Sequence, residues 1–176
     1  MRRSASTEVC NLQVSNGLEI LSVGEYSIYR ELCHRVKTGE LSSIQEAAYL
    51  MAERISFLST RILIPMPSHL GYATDTLRLC NEISILTGLP VVNALMGNER
   101  ESLYYLKRNG EKVPDLAFFG FHLVRDIPAE LTPVIVDNVI ATGQTMKAAL
   151  TAVPTGVPCS IAVDNGLIQA VYARHT

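Results

Sequence analysis

Asp137 and Asn138 end the aliphatic run Pro133-Val-Ile-Val and open onto Val139-Ile-Ala-Thr-Gly-Gln-Thr145. These residue types suit a phosphorylated sugar. A carboxylate beside a side-chain amide can hydrogen-bond vicinal hydroxyls, which a ribose offers. Val134, Ile135 and Val136 are three β-branched residues in a row, the pattern of a central parallel strand covered on both faces. The polar pair therefore falls at the carboxyl end of a strand, where open α/β sheets bind ligands. Ala141-Thr142-Gly143-Gln144-Thr145 then leads into Met146-Lys147-Ala148-Ala149-Leu150, mostly good helix formers. The orphan N–H groups and dipole of a helix start, with the hydroxyls of Thr142 and Thr145, make a phosphate site, and Gly143 lets backbone approach closely. The plainer alternative is an ordinary strand-turn-helix with Asp137 as a cap, which explains neither the Asp-Asn pair nor the whole loop.

The segment resembles the phosphoribosyl-pyrophosphate (PRPP) signature of type I phosphoribosyltransferases, in which aliphatic residues precede two acids and a Thr-Gly-x-Thr loop. Asn138 stands where that family usually has its second acid. The resemblance implies that Asp137 and Asn138 hold the ribose and that Ala141, Thr142, Gly143, Gln144 and Thr145 seat the 5′-phosphate. It implies transfer of the phosphoribosyl group from PRPP to a nitrogenous acceptor, with pyrophosphate leaving. Magnesium would accompany PRPP, with no firm direct metal ligands on the protein. With an amide in place of the second acid, the alternative is a non-catalytic PRPP- or nucleotide-sensing regulator, or a competence-associated accessory protein.

A second constellation precedes the signature. Arg61-Ile-Leu-Ile64 is an aliphatic strand closed by Pro65-Met-Pro-Ser-His69-Leu-Gly71. This turn is similar to the pyrophosphate loop of the same family, especially its ComF-like branch, and the resemblance assigns Pro67, Ser68 and His69 to pyrophosphate, often through N–H groups exposed by an unusual peptide. Ser68 can donate to an anion, and His69 can when protonated; alone, the turn reads equally as a rigid proline corner with a surface histidine. The polar stretch from Gly97 to Pro114 is longer than an ordinary connection. In the family a mobile loop here closes over PRPP, which would give Arg100, Lys107 and Arg108 the departing pyrophosphate and exclude water. Its plain alternative is a solvated helix-turn over Ser102–Lys107. The acceptor is not legible: Tyr26, Tyr29, Phe118, Phe119 or the strand end Ile161–Asn165 can touch a base or can be core.

Positioning these residues requires an α/β fold, a largely parallel sheet with helices on both faces, as in type I phosphoribosyltransferases. The alternation is a strand at Leu18–Val23, helices at Ser27–Val36 and Ser42–Leu58, and the strand at Arg61. Then come a helix from Ala73 to Thr87 stopped by Gly88, strands at Pro90–Leu95 and Leu116–Phe121, the signature unit, and strands at Cys159–Val163 and Gln169–Ala173. Ser42 with Gln45 and Glu46 reads as a helix start. Ile44, Ala47, Ala48, Met51 and Ile55 recur at helical spacing and should pack on the sheet.

Composition agrees. The 176 residues are 48% hydrophobic and 18% charged, suiting one packed domain, residues 1–176, with 1–25 an N-terminal extension or hood strand. A net charge of −2 gives no general drive toward nucleic acid, and no signal peptide or membrane span is visible. Cys10, Cys33, Cys80 and Cys159 are scattered without metal spacing, nor do His34, His122 and His175 form a zinc set. The cytoplasm is the expected setting, and related folds often pair as homodimers. ComF-like proteins commonly carry an upstream cysteine-rich zinc module, which this sequence lacks.

Overall fold

The computed structural model describes residues 12–15, 17–56, 58, 60–112 and 114–172; Cys10, His175 and residues 1–11 of the expected extension lie outside them. Five strands, β1 (Leu12–Ser15), β2 (Leu18–Glu25), β3 (Arg61–Pro65), β6 (Thr132–Ile140) and β7 (Val157–Val163), form one sheet in the order β1-β2-β7-β6-β3. All neighbours are parallel except β1 and β2. Val134, Ile135 and Val136 on β6 are each 0% exposed, as are Leu63 and Ile64 on β3. An unbroken aliphatic run is what a strand with both faces covered requires.

The two covering layers are unequal. One core packs α1 (Tyr26–Lys37), α2 (Leu41–Ile55) and α3 (Asp75–Thr87) against Leu21, Val23, Leu63, Val134, Val136 and Ile161. The five α2 positions expected to face the sheet are all 0–2% exposed. The second core joins Ile20, Ile64 and Ile135 to α5 (Gln144–Ala152) and α6 (Asn165–Tyr172). Beside the second core, of which Leu95 is a member, β4 (Leu95–Met96) and β5 (His122–Leu123) form a separate antiparallel pair, with α4 (Leu103–Arg108) between them in sequence. The α/β class with helices on both faces is as expected.

Four local expectations fail for identifiable reasons. The run Leu116–Phe121 is a 3-10 helix over Leu116–Phe119, because the Asp115 carboxylate accepts the Phe118 N–H at 3.1 Å and Gly120 turns left-handed at φ +57°. Those caps override the strand propensity of its aromatics. Residues 169–172 belong to α6, whose first turn is closed by Asp164: its carboxylate takes the Gly166 N–H and its carbonyl the Leu167 N–H. Pro90–Leu95 joins the main sheet only through one bridge, Leu63 to Val91, before leaving to pair with β5. Finally, α2 starts at Leu41 rather than Ser42, whose hydroxyl donates instead to Glu40 Oε1 at 3.0 Å.

Candidate functional site

Asp137 and Asn138 sit half-buried on β6, where Asp137 is level with Ser160 of β7. One oxygen of Asp137 accepts the Asn138 N–H at 2.7 Å. Burial pushes the Asp137 carboxyl up to about 6, while that hydrogen bond, Lys37 and Arg100 pull the other way. Desolvation thus outweighs two cations and a donor. Asn138 behaves differently: its Nδ2 donates to the Cys33 carbonyl of α1 at 2.9 Å, and its Oδ1 is buried with no partner.

Beyond β6 the chain turns through exposed Ala141 into α5, with Gly143 as N-cap at φ +79°. Any side chain would be strained there. Thr142 Oγ1 accepts the Gln144 N–H at 3.3 Å, and the Lys147 N–H returns to the Gly143 carbonyl. The amides of Thr145 and Met146 remain as orphan donors of the first turn. An anion seated there would also meet the positive end of the helix dipole.

The proline turn lies beside this end of β6, since the Met66 N–H donates to the Val136 carbonyl at 2.9 Å. Thr76 at the start of α3 ties it down through a hydroxyl bond to the Met66 carbonyl at 2.6 Å. Pro67 is buried and has no N–H to offer, while Ser68 is half-exposed and His69 exposed. The Ser68 N–H is spent on the Tyr72 carbonyl and its oxygen accepts the Leu70 N–H, so the hydroxyl proton is what Ser68 can give an anion. All peptides of this turn are trans. Gly71, at φ +90°, lets the loop touch the next segment: an added Cβ would lie 2.5 Å from the Gly97 carbonyl.

Arg100 joins the two. Its N–H donates to the His69 carbonyl at 2.9 Å, and its guanidinium to the carbonyls of Ser68 (3.1 Å) and Asn98 (3.0 Å). The guanidinium carbon also lies 5.0 and 5.2 Å from the ring centres of Phe119 and Phe121. Burial lowers its pKa and the charge of Asp137 raises it. Arg100 is therefore fixed beside the proline turn, with Asp137 within electrostatic reach.

Lys107 and Arg108 show no such ties. They are exposed in the last turn of α4, and among the described residues no hydrogen bond or ion pair links them to 65–71 or 137–145. The helix-turn alternative for 102–107 is what forms: Ser102 caps α4 by accepting the Tyr105 N–H at 3.2 Å. Of the aromatics considered for an acceptor, Phe119 is fully buried, Tyr29 packs on the α1–α3 core, and Tyr26 shares a hydrogen bond with His34 at 3.3 Å. Two surface concavities, one along Ser27–Arg35 and one between Gly39 and Glu82, include none of the candidate residues. Sequence reasoning missed Lys37 and Cys33. The basic last turn of α1 was the available signal, but nothing in the sequence says that this turn docks on the strand end.

A divalent cation held directly by the protein does not fit this pair. Asp137 is its one carboxylate, already accepting an N–H and lying in the field of Lys37 and Arg100, and Asn138 has its NH2 committed to Cys33. Hard cations want several free oxygens and no competing positive charge. Among the described residues no group of three or more metal-ligating side chains occurs, and no helix is long and apolar enough to cross a membrane.

No protein-family model matches the chain, and no curated protein matches it. Solved structures do show distant likeness. Adenine phosphoribosyltransferase from Thermoanaerobacter pseudethanolicus aligns over 72% of this chain and 83% of its own, at 12% identity and a TM-score of 0.48. The Trypanosoma brucei enzyme of that name, in complex with AMP, pyrophosphate and ribose-5-phosphate, aligns over 74% and 68%, at 14% identity and 0.44. Glutamine PRPP amidotransferase from B. subtilis aligns over 68% of this chain at 16% identity and 0.43, and the chain spans a quarter (25%) of its length.

Proposed function

We propose that this chain binds PRPP and transfers its phosphoribosyl group to a nitrogenous acceptor, releasing pyrophosphate. The observation that supports it most is the half-buried carboxylate of Asp137 at the end of a two-face-buried strand, followed directly by a glycine-headed helix start with unpaired amides. Asp137 accepts hydrogen bonds from ribose hydroxyls. The amides of Thr145 and Met146, with the Thr142 and Thr145 hydroxyls, hold the 5′-phosphate. Ser68, His69 and Arg100 face the pyrophosphate. The bond from the anomeric carbon to pyrophosphate breaks, a bond to the acceptor nitrogen forms, and the acceptor's proton leaves to solvent or product. Binding energy goes into alignment and charge stabilisation, so no covalent enzyme nucleophile is required. When bound with PRPP, magnesium would neutralise diphosphate charge. Lys107 and Arg108 enter only when the segment around α4 swings inward after binding.

A PRPP sensor without turnover is the second reading. It is favoured by Asn138, whose amide replaces a second carboxylate and is used to hold α1. A homodimer, a cytoplasmic setting and a ComF-like affiliation belong to the first reading, the setting being supported by the free thiols of Cys33 and Cys80. Mixing the protein with PRPP, magnesium and a panel of purine, pyrimidine and amine acceptors tests the proposal. Acceptor-dependent pyrophosphate release is expected; PRPP binding with no release from any acceptor would move the assignment to the sensor.

A further inference from the structure

Lys37 acts on Asp137 but has no part in the phosphoribosyl reading, and the turn of α1 before it is tied down by Asn138. The Asn138 amide grips the Cys33 carbonyl at 2.9 Å. Lys37 follows Cys33 by one helical turn on α1. The grip therefore ties the last turns of α1 to the end of β6, and the Lys37 charge acts on Asp137 there. Arg100, whose charge also acts on Asp137, is held by the Ser68 and Asn98 carbonyls and the faces of Phe119 and Phe121. Two positive charges, Lys37 on α1 and the tied-down Arg100, thus act on Asp137 where the resemblance would bring a divalent cation to the sugar. The buried, unpartnered Oδ1 of Asn138 beside them is an acceptor awaiting a hydroxyl donor.

We infer that Lys37 and Arg100 together supply the positive charge for the diphosphate and ribose end of the ligand, so that PRPP binds here without a divalent cation. The inference rests on the proposed PRPP reading and deepens it. Asn138 then has a positive role. An aspartate at that position could not donate to Cys33, and would release the turn of α1 that carries Lys37. A lysine ammonium does what a cation would do electrostatically, with the difference that it cannot be removed by a chelator.

Calorimetric titration of PRPP into the whole chain, in magnesium and in excess EDTA, tests this, with Lys37→Met as the comparison. Lys37 is exposed, so its replacement should leave the fold intact, checked by circular dichroism. Wild type should show affinities within about threefold in the two buffers, and Lys37→Met should lose roughly tenfold in EDTA, with part restored by magnesium. Wild-type binding that collapses in EDTA, or a Lys37→Met protein unchanged in both buffers, overturns the inference while leaving the PRPP reading standing. Absence of binding in both buffers overturns the two together.

Discussion

The side-chain amide of Asn138 donates to the backbone carbonyl of Cys33 across 2.9 Å, joining the end of β6 to a helix more than a hundred positions earlier in the chain. Asn138 is thus a structural tie as well as the immediate neighbour of Asp137 on β6. Asn138→Asp removes the donor and sets a second carboxylate beside Asp137. Stability should fall by about 1–3 kcal/mol, read from urea unfolding midpoints. A variant as stable as wild type would mean the tie contributes nothing.

Asp137 makes stability depend on pH in a definite direction. Its folded pKa, about 6, lies above the ordinary 3.8, so the native state binds the proton more tightly than the unfolded chain. The stabilisation this gives is present at low pH and is lost as pH rises from about 4 to about 6. Compared with Asp137→Asn, wild type should lose up to about 1.4 kcal/mol per pH unit across that window and run parallel above it. Equal slopes throughout would contradict the buried carboxyl. Since the Lys37 cation lowers this pKa, Lys37→Met should move the NMR titration midpoint of Asp137 upward; Cys33 and Arg100 are its other charged or titratable neighbours.

Gly143 and Gly88 offer a matched pair. Both are left-handed, at φ +79° and +71°, one heading α5 and the other ending α3. Alanine at either should cost about 1–2 kcal/mol of stability. At Gly143 the new Cβ also lies 3.2 Å from Leu18 Cδ1, whereas at Gly88 it meets nothing within 4 Å. Only Gly143→Ala should weaken PRPP binding. Equal affinity for both variants would remove the phosphate from the start of α5.

Arg100 and the α4 cations should separate binding from turnover. Arg100→Lys keeps the charge but loses the planar guanidinium that lies over Phe119 and Phe121 and whose Nη1 donates to the Ser68 and Asn98 carbonyls, so PRPP affinity should drop by roughly three- to tenfold. Lys107 and Arg108 are exposed, and among the described residues no hydrogen bond or ion pair ties them to the candidate loops. Their joint replacement by alanine should leave PRPP affinity within about twofold and lower the rate of pyrophosphate release. A large loss of affinity from the double variant would place α4 over the ligand before closure.

Much of this fold is legible because its central strands are read on both faces: three buried aliphatics in β6, and their counterparts in β3, admit few other placements. The α2 face was equally plain, since Ile44 through Ile55 repeat at one helical spacing. Short aromatic and apolar runs were ambiguous. At 116–121 and 169–172 the outcome turned on a single capping aspartate each, Asp115 and Asp164, which periodicity does not register. In the candidate site, Asp137 and the glycine-headed turn were visible locally. The approach of Lys37 and Cys33 was not, because it depends on how α1 docks, a tertiary fact carried by the Asn138 tie. Pro67 illustrates the reverse: its motif was conspicuous, but it is buried and donates nothing.

The assignment stands most directly on calorimetric binding of PRPP to wild type and to Asp137→Ala under identical conditions. Saturable binding by wild type, weakened at least about tenfold in a variant that remains folded, is the expected result. No saturable binding by wild type, or the same affinity in both proteins, would contradict the placement of a phosphoribosyl ligand at Asp137.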